Sequence, residues 1–266
     1  MAEPMSDITA PTKKRYSAHF GTLLALGFKL LKSAKLVKAA LLGASAASYA
    51  WLFSWEFAFV ILFALAVHEW GHVKAMNWMG MPTKGMYFIP FIGAVAVGDL
   101  SRSRFEEAFV ALMGPAFGAL SLIPLAFLGW ADGDPRWFAY VGMVALVNLF
   151  NLLPIAILDG GRVMVSITSS IGPRVGMLAF AVGILLGAAV TWTMGSYVLA
   201  VIMALSIPEF FSERRRHRAQ PIPPMPPKEI AATTAVYLGL FLLFLTAISL
   251  VSGIAGADLA HQIVSG

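Results

Sequence analysis

Apolar runs long enough to cross a lipid bilayer follow one another along most of this chain, and nothing else in it restricts the possible folds as much. A membrane-spanning helix needs about 20 predominantly apolar residues, roughly 17–25 in practice. Such runs lie at about 36–53, 55–77, 105–130, 137–157, 175–192, 195–211 and 229–254. Of the 266 residues, 59% are hydrophobic and only 12% are charged. A soluble domain is about one-quarter charged, so this chain has too little charge to cover a soluble core of its size. The expected solvent is lipid, and the expected fold is an all-α polytopic membrane protein with about seven transmembrane helices.

One stretch breaks the helical pattern. Residues 78–103 hold Gly80, Pro82, Gly85, Pro90, Gly93 and Gly98 among short apolar runs. This is the chemistry of a short re-entrant, β-hairpin-like loop. Four segments are expected in all: a cytoplasmic tail and interfacial basic segment (1–35), a membrane-embedded core (36–211), a basic Pro-rich linker (212–228) and a last transmembrane helix with its tail (229–266). Within the first, 20–35 mixes Leu and Phe with lysines; this fits a helix lying on the membrane surface and equally the basic flank of the first span.

The net charge is +5. The basic residues sit between apolar runs, which argues for topology control and headgroup contact rather than nucleic-acid binding. With the N-terminus inside, seven spans put Lys84, Arg102, Arg104, Arg162, Arg174 and the 213–218 cluster on the cytoplasmic face, so the protein is expected in the cell membrane. The lysines within 29–38 argue against a cleavable signal peptide. There are no cysteines, so any metal site must use histidine and carboxylate.

Residues 68–72 read His-Glu-Trp-Gly-His, at the end of the second span. Histidines at i and i+4 lie one turn apart on one helix face, so both imidazoles can reach one ion. The neighbouring Glu69 can touch a water held there. Zn²⁺ takes such nitrogen and oxygen ligands and leaves a position open for chemistry. The plainer reading is two buried histidines bonded to backbone or to Glu69. Against it, three ionisable groups within five residues are costly in lipid, and such groups mark function.

A third ligand is needed. The candidates are His19, His217, His261, Glu56, Asp159 and Glu209. Asp159 is the best placed, because Pro154 breaks the fourth span and Gly160 and Gly161 permit a sharp turn after the aspartate. Broken helices at membrane depth line cavities. The other reading is an Asp-Gly turn paired with Arg162.

His68-Glu-Trp-Gly-His72 followed by Asn151-x-x-Pro154-x-x-x-Leu158-Asp159-Gly160 resembles the paired signature of the site-2 protease family of intramembrane zinc metalloproteases, over about residues 55–165. The resemblance implies that His68, His72 and Asp159 bind zinc and that Glu69 is the catalytic base. It further implies that Asn151 lies near the substrate carbonyl. The substrate would be a transmembrane protein, cut in regulated intramembrane proteolysis near the cytoplasmic face. For Asn151, a buried amide bonding a carbonyl freed by Pro154 is the other reading. One departure stands out: members often carry an asparagine after a Gly-Pro pair in the third helix, where this chain has Gly118. Rival functions are a polytopic transporter or metal-binding channel without hydrolytic activity, a metallopeptidase with a glutamate third ligand, and a non-catalytic membrane scaffold.

Overall fold

The computed structural model describes residues 34–90, 93–99, 101–155, 158–195, 204, 211 and 222–265. The chain divides into two compact units, Met1–Ala40 and Leu41–Gly266. The described residues are mostly helical, with one small sheet. The helices are α1 (Ala34–Leu52), α2 (Trp55–Trp78), α3 (Arg104–Asp132), α4 (Arg136–Asn151), α5 (Asp159–Ile171), α6 (Pro173–Met194) and α7 (Pro227–Ser265). The strands β1 (Thr83–Ile89) and β2 (Gly93–Gly98) lie between α2 and α3.

Local chemistry sets several of these boundaries. Ser54 caps α2, its hydroxyl accepting from the Phe57 amide at 3.1 Å. Ser103 does the same for α3 through the Glu106 amide, and Glu106 and Glu107 place negative charge at that positive helix end. Gly133 ends α3 with φ +72°, a left-handed cap that favours glycine. The hairpin is antiparallel, pairing Met86 with Ala96 and Tyr87 with Val95. A bulge at Thr83/Gly85 shifts its register, with Gly85 at φ +88°.

The expected hairpin is therefore present, and the spans expected at 36–53, 55–77, 105–130, 175–192 and 229–254 are helical. Among the described residues, four segments are long and apolar enough to cross a membrane: Trp55–Trp78, Arg104–Asp132, Pro173–Thr193 and Pro227–Gly253. Leu36–Leu52 is a shorter apolar helix. Large apolar side chains point outward along them, among them Phe59, Ile123, Leu185, Leu242 and Trp192, the last 88% exposed. So much outward apolar surface suits a lipid surround. The expected segment 20–33, the span at 195–211 beyond Gly195, Ala204 and Phe211, and the linker at 212–221 lie outside the described residues.

Two expectations need correcting. The run at 137–157 does not form one helix, because α4 ends at Asn151, before Pro154. Gly160 and Gly161 make no sharp turn after Asp159 either; both belong to the first turn of α5. Glycine is required at 160 for space, since a Cβ there would fall on the Leu152 carbonyl.

Among the described residues, two clusters of the core bear on the site. One joins α3, α4 and α7 around Val144, Ala145, Leu152, Tyr237 and Phe244. The other packs Ala75 and Met76 of α2 against Val110 of α3 and Met81. A buried pair ties α5 to α3. Glu107 accepts from the Arg104 guanidinium at 2.6 Å and from the Ser166 hydroxyl at 3.0 Å. Next to it, residues 222–226 lie across both helices, with the Arg104 amide donating to the Pro223 carbonyl and the Met225 amide to the Ser170 hydroxyl.

Helices α2 and α3 come into close contact at Gly71, where a Cβ would collide with the Met113 carbonyl. Trp70 and Phe117 then pack edge to face, 5.4 Å between centroids. Gly71→Ala is expected to destabilise the protein by about 1–3 kcal/mol through overpacking, read as a lowered Tm of the purified protein in detergent. An unchanged Tm would show that the two helices can part there without cost.

Candidate metal centre

His68 and His72 project from one face of α2 toward α3, and both are buried. Glycine again makes the room, because a Cβ at Gly114 of α3 would fall on both rings. Asp159, the first residue of α5, reaches the same point from across the molecule. Its Oδ2 lies 2.9 Å from His68 Nε2 and 3.2 Å from His72 Nε2, and the two Nε2 atoms are 3.1 Å apart. Asp159 is 8% exposed and meets the histidines, whereas Arg162 points outward. The turn paired with Arg162 is thus not what forms.

The hydrogen bonds around this triangle decide which atoms carry protons. Asn148 of α4 is fully buried and donates its Nδ2 to the Val144 carbonyl at 2.8 Å. Its Oδ1 therefore faces His68 Nδ1, at 2.9 Å, and can only accept. His68 must carry its proton on Nδ1 and present a lone pair on Nε2. His72 Nδ1 lies 2.8 Å from the Val110 carbonyl, also only an acceptor, so its Nε2 presents a lone pair too. With the carboxylate oxygen, three lone pairs face one another within 3.2 Å. A proton between them could satisfy only one pair, whereas a divalent cation satisfies all three.

The spacing fits zinc. Ligand atoms around a tetrahedral ion with bonds of roughly 2.0–2.1 Å lie about 3.3 Å apart, close to the 2.9–3.2 Å separations here. Two imidazoles and one carboxylate, with no thiolate, are a donor set that leaves one position open. Glu69 is also buried, and its carboxylate lies within 4.8 Å of the imidazole nitrogens. The backbone amide of Ala96 in β2 approaches that carboxylate, so the hairpin borders the site.

Of the residues expected from sequence, the structure brings together His68, Glu69, His72 and Asp159. Asn151 sits at the end of α4, half-buried, and its amide donates to the Val147 carbonyl at 3.1 Å, one turn back. That carbonyl is not Phe150's, the one Pro154 has no amide to serve, which accepts instead from the Leu153 amide at 3.1 Å. Glu56 begins α2, far along the helix from the histidines. His19, His217 and Glu209 lie outside the described residues, as does the side chain of His261.

Sequence reasoning missed Asn148. Its signal was an amide inside an otherwise apolar run, Val141–Leu149, where a polar group must find a partner. Gly118 is explained by the same residue. A Cβ at 118 would overlap the Asn148 amide, so the glycine leaves the space that Asn148 fills.

Residues 56–133 match peptidase family M50, a segment that includes His68, Glu69 and His72. A Synechocystis protein named as a zinc metalloprotease is 27% identical over 152 residues, covering 50% of this chain and 40% of its own length. Mycobacterium tuberculosis Rip3, also named as a zinc metalloprotease, is 28% identical over 162 residues, 56% of this chain and 39% of its own. Stage IV sporulation protein FB of Bacillus subtilis is 29% identical over 175 residues, 59% of this chain and 58% of its own. The chain thus spans about two-fifths to three-fifths of the length of these relatives.

If Asn148 fixes the His68 tautomer, Asn148→Ala should weaken zinc binding about tenfold, the lower end of the usual effect of removing a group that orients a metal ligand. Gly118→Ala, which pushes the amide away, should do the same. Titration against a competing chelator measures both; wild-type affinity in a folded Asn148→Ala protein would mean the ring is oriented by other means.

Proposed function

We propose that this chain is a membrane zinc metalloprotease that hydrolyses a peptide bond within or near the transmembrane segment of another membrane protein. What supports this most directly is the convergence of His68 Nε2, His72 Nε2 and Asp159 Oδ2 with Glu69 beside them. The match to peptidase family M50 and the names of the relatives point the same way.

In this reading His68, His72 and Asp159 hold the zinc. When bound, zinc supplies a Lewis acid for the scissile carbonyl and makes a neighbouring water more acidic. Glu69 takes a proton from that water as its oxygen bonds to the carbonyl carbon. It then gives the proton to the amide nitrogen as the C–N bond breaks, so that an acid and an amine are released. Burial of Glu69 strengthens its interactions with the developing charges. Asn151, one turn beyond Asn148 on α4, is the group assigned to the substrate carbonyl, where its amide would stabilise negative charge.

A substrate helix shields its own peptide bonds, so it must unwind before cleavage. The β1–β2 hairpin offers a strand edge for the unwound chain, and β2 runs beside Glu69 at Ala96. Seven crossings with the N-terminus inside place Lys84, Arg102 and Arg104 on the cytoplasmic face. The histidines, near the end of α2 that leads into those residues, then stand nearer the cytoplasm. Residues 36–211 form the protease core, and regulated intramembrane proteolysis is the process such an enzyme would serve.

Two substitutions separate the roles. Glu69→Gln should retain zinc yet lower cleavage of a single-span substrate in detergent by a factor of about 10²–10⁴, the usual contribution of a general base. Asp159→Ala should lower the zinc content of the purified protein. A fully active Glu69→Gln enzyme would remove the base assignment, and full zinc occupancy in Asp159→Ala would move the third ligand elsewhere.

A further inference from the structure

We infer that α7 is a working part of the metal site: the Tyr237 hydroxyl fixes the Leu152 carbonyl at the break between α4 and α5, and so sets where Asp159 stands against His68 and His72. The inference rests on the zinc reading proposed above and adds a positioning residue to it.

The break is where the geometry of the site is decided. The α4 ladder stops at Leu152, and beyond it the Ile155 amide donates to the Leu153 carbonyl and the Leu158 amide to the Ile155 carbonyl. Pro154 offers no amide of its own. The Leu152 carbonyl is buried at this point, and buried carbonyls find a partner almost without exception. Tyr237 supplies one, donating its hydroxyl at 2.8 Å across 85 residues of sequence.

The same carbonyl is the surface on which α5 turns. A Cβ at Gly160 would overlap it, so the first turn of α5 rests against Leu152 with nothing between. Asp159 is the neighbour of that glycine. A carbonyl oxygen gripped on one side by Tyr237 and pressed on the other by Gly160 fixes the height and direction at which Asp159 leaves the linker. Were the hydroxyl removed, the Leu152 peptide could rotate toward another donor, and Asp159 would move with it. The Tyr237 ring itself is embedded in the core with Val144 and Phe244, and tilts against Phe241 at 6.4 Å. Tyr237→Phe therefore removes the hydrogen bond and leaves the packing in place.

The test uses the full chain purified in detergent and compares wild type, Tyr237→Phe and Phe241→Leu, the last a packing lesion one turn along α7. Zinc affinity is measured against a chelator, Tm with and without zinc, and the visible absorption of the cobalt-substituted protein. Tyr237→Phe should bind zinc about tenfold more weakly, gain less Tm from zinc than wild type does, and show an altered cobalt spectrum. Phe241→Leu should lower Tm equally with and without zinc and keep the wild-type affinity and spectrum. If Tyr237→Phe folds only with metal present, the zinc concentration that half-restores folding is read instead, and it should exceed that needed by Phe241→Leu. Wild-type affinity and spectrum in Tyr237→Phe would overturn the role of Tyr237 while leaving the zinc reading intact. A wild-type protein that takes up no zinc would overturn that reading and this inference together.

Discussion

Three lone pairs aimed at one point, none more than 3.2 Å from the next, are the constraint that the surrounding structure answers to. Left to themselves two imidazoles and a carboxylate would rotate apart or share protons. Here each ring is locked from behind, by Asn148 for His68 and by the Val110 carbonyl for His72. The lock on His68 is itself locked, because Val144 claims the other end of the Asn148 amide. So α2, α3, α4 and α5 each contribute a group to one connected hydrogen-bond network. In a low-dielectric interior such a network has a single satisfied arrangement, and every unmade bond in it is costly.

Asp159 is the group hardest to deliver. It is 91 residues from His68 and begins its own helix. Two devices bring it in. The first is the break after Asn151, which frees the chain to re-enter as α5 at a new angle. The second is the Arg104–Glu107 pair, whose carboxylate also takes the Ser166 hydroxyl and so clamps α5 to the start of α3. A buried ion pair of this kind contributes little net stability after desolvation, but breaking it leaves an uncompensated charge. Its value here is positional, since it holds α5 at Ser166, about two turns beyond the aspartate.

What could be read in the sequence was whatever depends on spacing within one element. Two histidines four apart on a helix, the hairpin between glycines and prolines, and the helix-ending Pro154 all declare themselves locally. Asp159 was reachable by elimination, since few carboxylates lie at membrane depth. What could not be read depends on crossings between elements. Helix α5 was hidden because Asp159-Gly-Gly looks like a turn, and because Ser166, Thr168, Ser169 and Ser170 dilute its apolar face. Asn148 and Asn151 differ by one helical turn, and only the packing of α4 against α2 shows which of them faces His68. Tyr237 is one aromatic in a long apolar run, and nothing nearby announces a bond to Leu152.

The glycines follow from the medium. In lipid, apolar side chains gain little by leaving one another's company for each other, so helices associate through close contact and internal hydrogen bonds. Close contact needs the absence of a side chain at the crossing. Gly71 admits the Met113 carbonyl, Gly114 admits both imidazoles, Gly118 admits the Asn148 amide and Gly160 admits the Leu152 carbonyl. Each of these glycines sits opposite a polar group rather than an apolar one. The small residues do more than let helices touch: they make the vacant volumes into which the polar groups of the site are fitted. Gly118 shows the logic most clearly: a glycine on α3 leaves the space that the Asn148 amide enters from α4, and that amide in turn meets His68.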